Sequence, residues 1–499
     1  MKNFFDTSYL TNSLAQKTVR GGTAVGVARM LNLILSIGST AILARLLLPE
    51  DFGLVAMVMA VLGFVLVFRE MGLSMATVQK KDITHEQVSN LFWINCGFGF
   101  VAVLVIFSAA PLIGKFYNDA RLPPIAAALS LVAFFSCLTV QHQALARRHM
   151  KFWLVQASGL GGNFLGIAVA VILAFKGFGY WALVWQNIIN HVATCVILWI
   201  FIPWRPGLPR RGTGVKDMIT FGVYISGSRL AREARSLVDK ILIGSLAGPS
   251  TLGLYTKAFS LLMLPVNQLN YPVSSVSFPA LSRLQDDRER FQSVYYQGIA
   301  LLACMTIPVI TFLVIVAEDL IPIFLGPGWD GTVVLFQALA PAAYVQALDL
   351  TKGWATIPLG RARRIMVCNT IDSIVTIAAI FVGIYWGALG VAIALSICAI
   401  VKFIPLNLYA FHDSPITLSD LFFKSLKLPI LFCILSSIFT ITFKIFYSFD
   451  SHIVSFLTQA LIFGATYISF PWLIPGCSKL FSPAQKSINL ILKKHFIDK

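Results

Sequence analysis

Apolar runs of about twenty residues recur from end to end of this 499-residue chain. A helix rises 1.5 Å per residue, so each run matches a hydrocarbon core of ~30 Å. Lipid offers no hydrogen-bond partners, so a spanning run must satisfy its own backbone, which a helix does. Hydrophobic residues make up 57% of the chain and charged ones 12%, with a mean hydropathy of +0.79. Counting soluble domains by length therefore does not apply. Fourteen spans are expected, near residues 22–47, 51–68, 89–110, 123–143, 154–175, 179–202, 217–246, 252–273, 293–317, 331–350, 365–386, 388–411, 427–447 and 453–475. The expected fold class is an all-α polytopic membrane protein. The first twenty residues carry no apolar h-region, so no cleaved signal peptide is expected.

Two stretches 200 residues apart read as copies of one another. Without a gap they match at Gly22/Gly222, Arg29/Arg229, Ser36/Ser236, Leu46/Leu246, Pro49/Pro249, Gly53/Gly253 and Leu54/Leu254. Further on, Leu112, Ile113 and Phe116 recur as Leu320, Ile321 and Phe324, and Gly177 and Ala182 as Gly387 and Ala392. Six spans per copy is an even number, so both copies enter the membrane the same way. The expected arrangement is two pseudo-symmetric six-helix lobes about an axis along the membrane normal, with two extra C-terminal helices. The expected organisation is an N-terminal segment (1–21), an N-lobe (22–202), a linker (203–216), a C-lobe (217–411), spans 13 and 14 (427–475) and a basic amphipathic tail (476–499).

The net charge of +17 would suggest nucleic acid in a soluble protein; here topology explains it and no nucleic acid is expected. With the N-terminus inside, 27 of the 39 Lys and Arg residues fall in cytoplasmic loops, tails or span ends. Five fall outside: Arg45, Lys115, Arg121, Lys176 and Lys444. That asymmetry predicts both termini in the cytoplasm. Seven lie within spans: Arg29, Arg229, Arg232, Arg235, Lys240, Lys257 and Lys402.

Each charge at the centre of a bilayer costs roughly 2.5–3.5 kcal/mol. Span 7 carries Arg229, Arg232, Ser236 and Asp239 on one face at helical spacing, and span 1 carries Arg29, Asn32, Ser36 and Ser39 on the matching face. Arg229–Glu233 and Arg235–Asp239 stand at i,i+4 and partly neutralise each other. Arg29, Arg232, Lys240, Lys257 and Lys402 have no obvious partner on their own helix. A water-filled cavity makes the arrangement tenable. Guanidinium groups suit phosphate through bidentate, charge-assisted bonds. The expected anion site is Arg29, Asn32, Ser36, Arg229, Arg232, Ser236, Lys240 and Lys257. Glu233, Arg235, Asp239 and Asp372 are the candidates for ion coupling or gating, Asp239 foremost. The competing reading is an ion-pair network that locks the lobes together.

No metal site, cofactor or catalytic group is expected. The eight cysteines lie in or beside spans without metal-ligand spacing, and no HExxH, Walker loop or nucleophile–His pair appears. Gly162-x-x-x-Gly166 reads as a close-packing motif. The tail after Gly476 reads as an interfacial helix.

The segment Ala44-Arg45-Leu46-Leu47-Leu48-Pro49-Glu50-Asp51-Phe52-Gly53-Leu54 resembles that of Wzx-type polysaccharide flippases, as do Phe116-Tyr117 and Gly326-Pro327-Gly328-Trp329. These belong to one exporter superfamily with MATE transporters and MurJ lipid II flippases. The resemblance implies a substrate, undecaprenyl-diphosphate-linked oligosaccharide, moved from the inner to the outer leaflet of the bacterial inner membrane for surface polysaccharide. It implies a central cationic cavity lined by spans 1, 2, 7 and 8, a groove for the lipid tail at spans 13 and 14, and coupling to H+ or Na+. Membrane lipid and other polysaccharide-assembly proteins are the further partners expected. The alternatives are a MATE-like small-molecule antiporter, whose cavities lean acidic, and a membrane-embedded glycan polymerase or ligase, which the short external loops disfavour. A non-transporting scaffold would leave the buried cations unexplained.

Overall fold

The structure, a computed structural model, describes residues 14–70, 73–80, 83–210, 216–447, 449 and 451–473. Within these, side chains are described except at 14–24, 67–70, 73, 76, 79, 216–236, 362 and 471–473. The chain divides into two compact units, residues 1–256 and 257–499. Among the described residues eleven helical segments are long and apolar enough to cross a membrane.

The first unit holds α1 (Leu14–Leu46), α2 (Pro49–Glu70), the short α3 (Leu73–Gln79), α4 (His85–Tyr117), α5 (Leu122–Arg148), α6 (Phe152–Phe175) and α7 (Tyr180–Phe201). It also takes in the first arm of α8 (Lys216–Arg283). This long helix is broken at Gly248, whose φ of 82° and ψ of 173° are open to glycine and costly for any other residue. The arms on either side contain the stretches expected as spans 7 and 8, 217–246 and 252–273, neither of which is among those eleven segments.

Helix ends follow their sequence signals. Thr84 and Gln87 form a reciprocal capping box at the start of α4, and Asn118 ends that helix in the left-handed conformation. Arg148 at the end of α5 donates to the carbonyls of Thr77 (3.1 Å) and Lys80 (2.5 Å), which closes the last turn of α3.

Lipid tails are as apolar as leucine, so close packing rather than hydrophobicity joins spanning helices. The α6–α7 contact shows the device. A Cβ on Gly162 would lie 2.1 Å from Thr194 Oγ1 and 2.5 Å from Asn190 O, and one on Gly166 would lie 2.6 Å from Gln186 O. The expected Gly-x-x-x-Gly motif is therefore the surface that α7 packs against.

The residues after α7 are strapped to the start of α4. Asn90 bonds both backbone groups of Arg210, accepting from its N–H (2.9 Å) and donating to its carbonyl (2.6 Å). Ser89 accepts from Gly207 N–H (3.0 Å), and Trp93 Nε1 donates to Gly207 O (2.8 Å). Beneath the strap Leu91, Phe92, Leu145, Leu198 and Trp204 form a core.

The second unit begins with the rest of α8. It continues through α9 (Arg288–Ile315), α10 (Ala317–Leu325), α11 (Gly331–Asp349), α12 (Lys352–Thr356), α13 (Ala362–Gly383) and α14 (Gly387–Phe411). Beyond lie α15 (Leu418–Asp420), a π-helical turn (Leu421–Leu426), α16 (Lys427–Phe446) and α17 (His452–Leu473). Phe291, Tyr295, Leu302, Trp354 and Phe432 centre its core. The strap recurs here: Gln292 near the start of α9 donates to Pro415 O, and Tyr296 Oη accepts from Thr417 N–H (3.0 Å).

The two extra helices are clasped through two neighbouring carboxylates of α10, one buried and one exposed. Asp319 on α10 bonds His452 Nδ1 (2.8 Å) and accepts from Ser455 Oγ (2.7 Å) and Gln459 Nε2 (3.0 Å), all on α17. Glu318 beside it pairs with Lys444 of α16 at 2.7 Å. Burial raises the Asp319 carboxyl, but the bonds from His452, Ser455 and Gln459 outweigh it and hold it below the usual carboxylate range.

Candidate functional site

The duplicated motif meets itself. Pro49 and Gly53 sit at the elbow between α1 and α2; Pro249 and Gly253 sit just past the break in α8. A Cβ on Gly53 would lie 1.7 Å from Pro249 O, and a Cβ on Gly253 would lie 1.9 Å from Pro49 O. The two elbows thus touch backbone to backbone in a reciprocal contact that admits no side chain at either glycine. Nearby, Gly63 lies against Leu237 and Gly244 against Met57 and Tyr117, so α2 packs along the first arm of α8.

Charges fix the same end of the unit. Arg121 at the start of α5 donates to Glu50 Oε1 (2.6 Å) and Asp119 Oδ2 (2.7 Å). Its bonds hold the Asp119 carboxyl below the ordinary range, and the two carboxylates raise the guanidinium in turn.

On α1 Arg29 is half-buried and Ser36 exposed. Asn32 donates to Ala28 O (3.2 Å) and accepts from Asn163 Nδ2 of α6 (3.2 Å). On α8 Lys240 is half-buried. Asp239 is buried, accepts from Tyr255 Oη (3.0 Å) and bonds the Lys240 N–H (2.8 Å). It joins the two arms of α8 across the Gly248 break. Lys257, half-buried, opens the second unit. Arg229, Arg232, Glu233, Arg235 and Ser236 have side chains outside the described residues, as does the expected tail helix.

Asp372 and Lys402 come together. Lys402 Nζ on α14 lies 2.5 Å from Asp372 Oδ1 on α13 and donates to Thr376 Oγ1 at 2.5 Å. Both partners are shielded, with 9% and 15% of their side chains exposed. A second pair, Lys352–Asp349 at 2.8 Å, lies within electrostatic reach. Lys402 lacks a partner on its own helix, as the spacing indicated; its partner stands on the neighbouring one. Sequence spacing sees i,i+4 pairs and is blind to pairs between helices. Asp372, a candidate for coupling or gating, is thus half-buried in an ion pair.

A groove of 670 Å³ lies along the second half of α16, lined by Phe439, Thr442, Phe443 and Phe446. Among the described residues no group of three His, Cys, Asp or Glu is placed to hold a metal ion.

This architecture, of packed spanning helices with buried cations, is that of a multi-pass membrane protein. Residues 42–334 match the model of a family described as polysaccharide biosynthesis protein, and the chain belongs to that family. It is 22% identical to the lipopolysaccharide biosynthesis protein WzxC of Escherichia coli (strain K12), over 78% of this chain and 80% of that one. It is 24% identical to the teichuronic acid biosynthesis protein TuaB of Bacillus subtilis (strain 168), over 70% and 73%. Among solved structures, the lipid II flippase MurJ in an inward closed conformation superposes with a TM-score of 0.73 at 16% identity, over 90% of this chain and 98% of that one. An inward-facing multidrug resistance MATE transporter superposes at 0.59 with 14% identity, over 78% and 98%. The fold is that of MurJ and MATE, and the resemblance to Wzx-type proteins is borne out.

Proposed function

We propose that this chain is a flippase that carries undecaprenyl-diphosphate-linked oligosaccharide repeat units across the bacterial inner membrane by alternating access, for surface polysaccharide biosynthesis. The family match carries the reading, and the relatives named for lipopolysaccharide and teichuronic acid biosynthesis support it. A diphosphate needs cations, a glycan needs water and hydroxyl partners, and a polyprenyl tail needs lipid. The apolar helices carry the cations: Arg29, Arg229, Arg232, Lys240 and Lys257, with Asn32, Ser36 and Ser236 as hydrogen-bonding neighbours. In this reading the α16 groove takes the lipid tail. Fourteen spans in two parallel lobes with cytoplasmic termini complete it.

Asp372, shielded and paired with Lys402, is the coupling candidate best supported by geometry, for H+ or Na+. Asp239, tied to Tyr255 across the Gly248 break, suits gating, together with Glu233 and Arg235. Charge reversal tests the anion site. Arg29→Glu and Arg229→Glu should each abolish export while protein levels hold; full export in both would remove these arginines from the substrate path.

A further inference from the structure

A polar pocket that the transport reading leaves unused opens at the junction of α9 and the π-helical turn. It has a volume of 310 Å³ and is lined by Glu289, Gln292, Ser293, Tyr296, Gln297 and Lys424. The pocket is built rather than incidental. Tyr296 is 5% exposed and is pinned through its Oη to Thr417 N–H and through its carbonyl to Ser425 Oγ (2.9 Å). Lys424 lies 5.4 Å from the centre of the Tyr296 ring and 3.2 Å from Asp420, which fixes its ammonium over the pocket. Ser293 Oγ accepts from Gln297 Nε2 (3.0 Å), and its own hydroxyl proton remains available to an acceptor. The π-turn that brings Lys424 round is itself a departure from regular helix of the kind that gathers at functional sites.

The surroundings are those of a lipid interface. Along α9 the row that starts with Ser293 and Gln297 continues at four-residue steps as Leu301, Met305 and Val309, all exposed. Phe422 and Phe423, also exposed, flank the other side beside Lys427. Along α9 the polar pocket thus gives way to an apolar stripe, the succession of headgroup and acyl chain.

We propose that this pocket binds the headgroup of a phospholipid with a primary amine, phosphatidylethanolamine. Lys424 and the Ser293 hydroxyl take the phosphate; the Glu289 carboxylate and the Gln292 carbonyl oxygen take the ammonium, which has three protons to donate. The acyl chains lie on Leu301, Met305 and Val309. A choline headgroup has no proton for Glu289, and a glycerol headgroup brings no positive charge to it. The site is independent of what the chain transports.

The test is native mass spectrometry of the delipidated full chain in detergent, titrated with phosphatidylethanolamine, phosphatidylcholine and phosphatidylglycerol of the same acyl composition, and with free phosphoethanolamine. The wild type should prefer phosphatidylethanolamine to the other two lipids by roughly tenfold, the effect of one charge-assisted contact. Glu289→Gln should remove that preference, and Lys424→Gln should weaken all three lipids by a similar factor. Both side chains are exposed, and unchanged melting midpoints confirm the variant folds. Equal binding of the three lipids by the wild type would overturn the proposal, as would titrations unmoved by both variants. Free phosphoethanolamine binding as tightly as the lipid would assign the pocket to a soluble phosphate instead.

Discussion

Gly53→Ala adds one methyl group where the structure has room for none. Its carbon would stand 1.7 Å from Pro249 O and 2.4 Å from Pro249 C. An ordinary carbon–oxygen contact is about 3.4 Å, so the elbows must part by over an ångström. Both neighbours are backbone, and no rotamer change relieves them. Overpacking of this kind costs about 1–3 kcal/mol. Gly253→Ala meets Pro49 O at 1.9 Å and should cost a similar amount. The two glycines share one contact, so the double variant should cost little more than either single one: once the first methyl has parted the elbows, the second finds space. The assay is unfolding in detergent, followed by tryptophan fluorescence for the two singles and the double. Additive losses, or singles that melt like the wild type, would refute the reciprocal contact.

Three further outcomes follow from the buried polar groups. Lys402→Met should destabilise the chain by about 3–5 kcal/mol by taking the Lys402 ion pair away from the shielded Asp372; Lys402→Met combined with Asp372→Leu should recover most of that stability without recovering export, measured as melting midpoint against surface polysaccharide. Asp319→Ala leaves donors on α17 without an acceptor and should cost about 1–3 kcal/mol, seen as faster hydrogen exchange in α17. Because the Asp319 carboxyl in the folded chain titrates below its ordinary value of 3.8, the clasp contributes fully above that pH and is lost as pH falls through the lowered value; α17 exchange should rise only in strong acid, and the variant should lack that step. Asn90→Ala should loosen the strap over residues 204–210 and speed its proteolysis by up to roughly thirtyfold, in keeping with the loss of two hydrogen bonds of about 1 kcal/mol each.

Local and periodic features of this chain were legible in its sequence. Span positions follow from apolar length, and α4, α5, α6 and α7 lie where the runs place them. The Gly162/Gly166 motif forecast the α6–α7 contact. The repeat displayed Pro49/Gly53 and Pro249/Gly253 as equivalents, but equivalence does not reveal contact, and their meeting needed coordinates. Pairs between helices were hidden for the same reason: Lys402 and Asp372 are thirty residues apart in sequence and share no helical spacing. The Asp319 clasp was missed because α10 is too short and polar-capped to register as a span, although His452, Ser455 and Gln459 follow one helical face and could have signalled a polar partner. The strap was missed because a proline-rich, basic stretch reads as linker; Ser89, Asn90 and Trp93 at the head of span 3 were the available signal.

The proposed function is the movement of a lipid-linked glycan from one leaflet to the other. The direct measurement removes the chain from its host and determines, in intact and in permeabilised spheroplasts, which leaflet holds the complete undecaprenyl-diphosphate-linked repeat units. For a flippase, complete units should accumulate and be reached by a glycan-binding probe only after permeabilisation. Units reached equally in intact spheroplasts, with polymer absent, would contradict it and place the chain after translocation, in polymerisation.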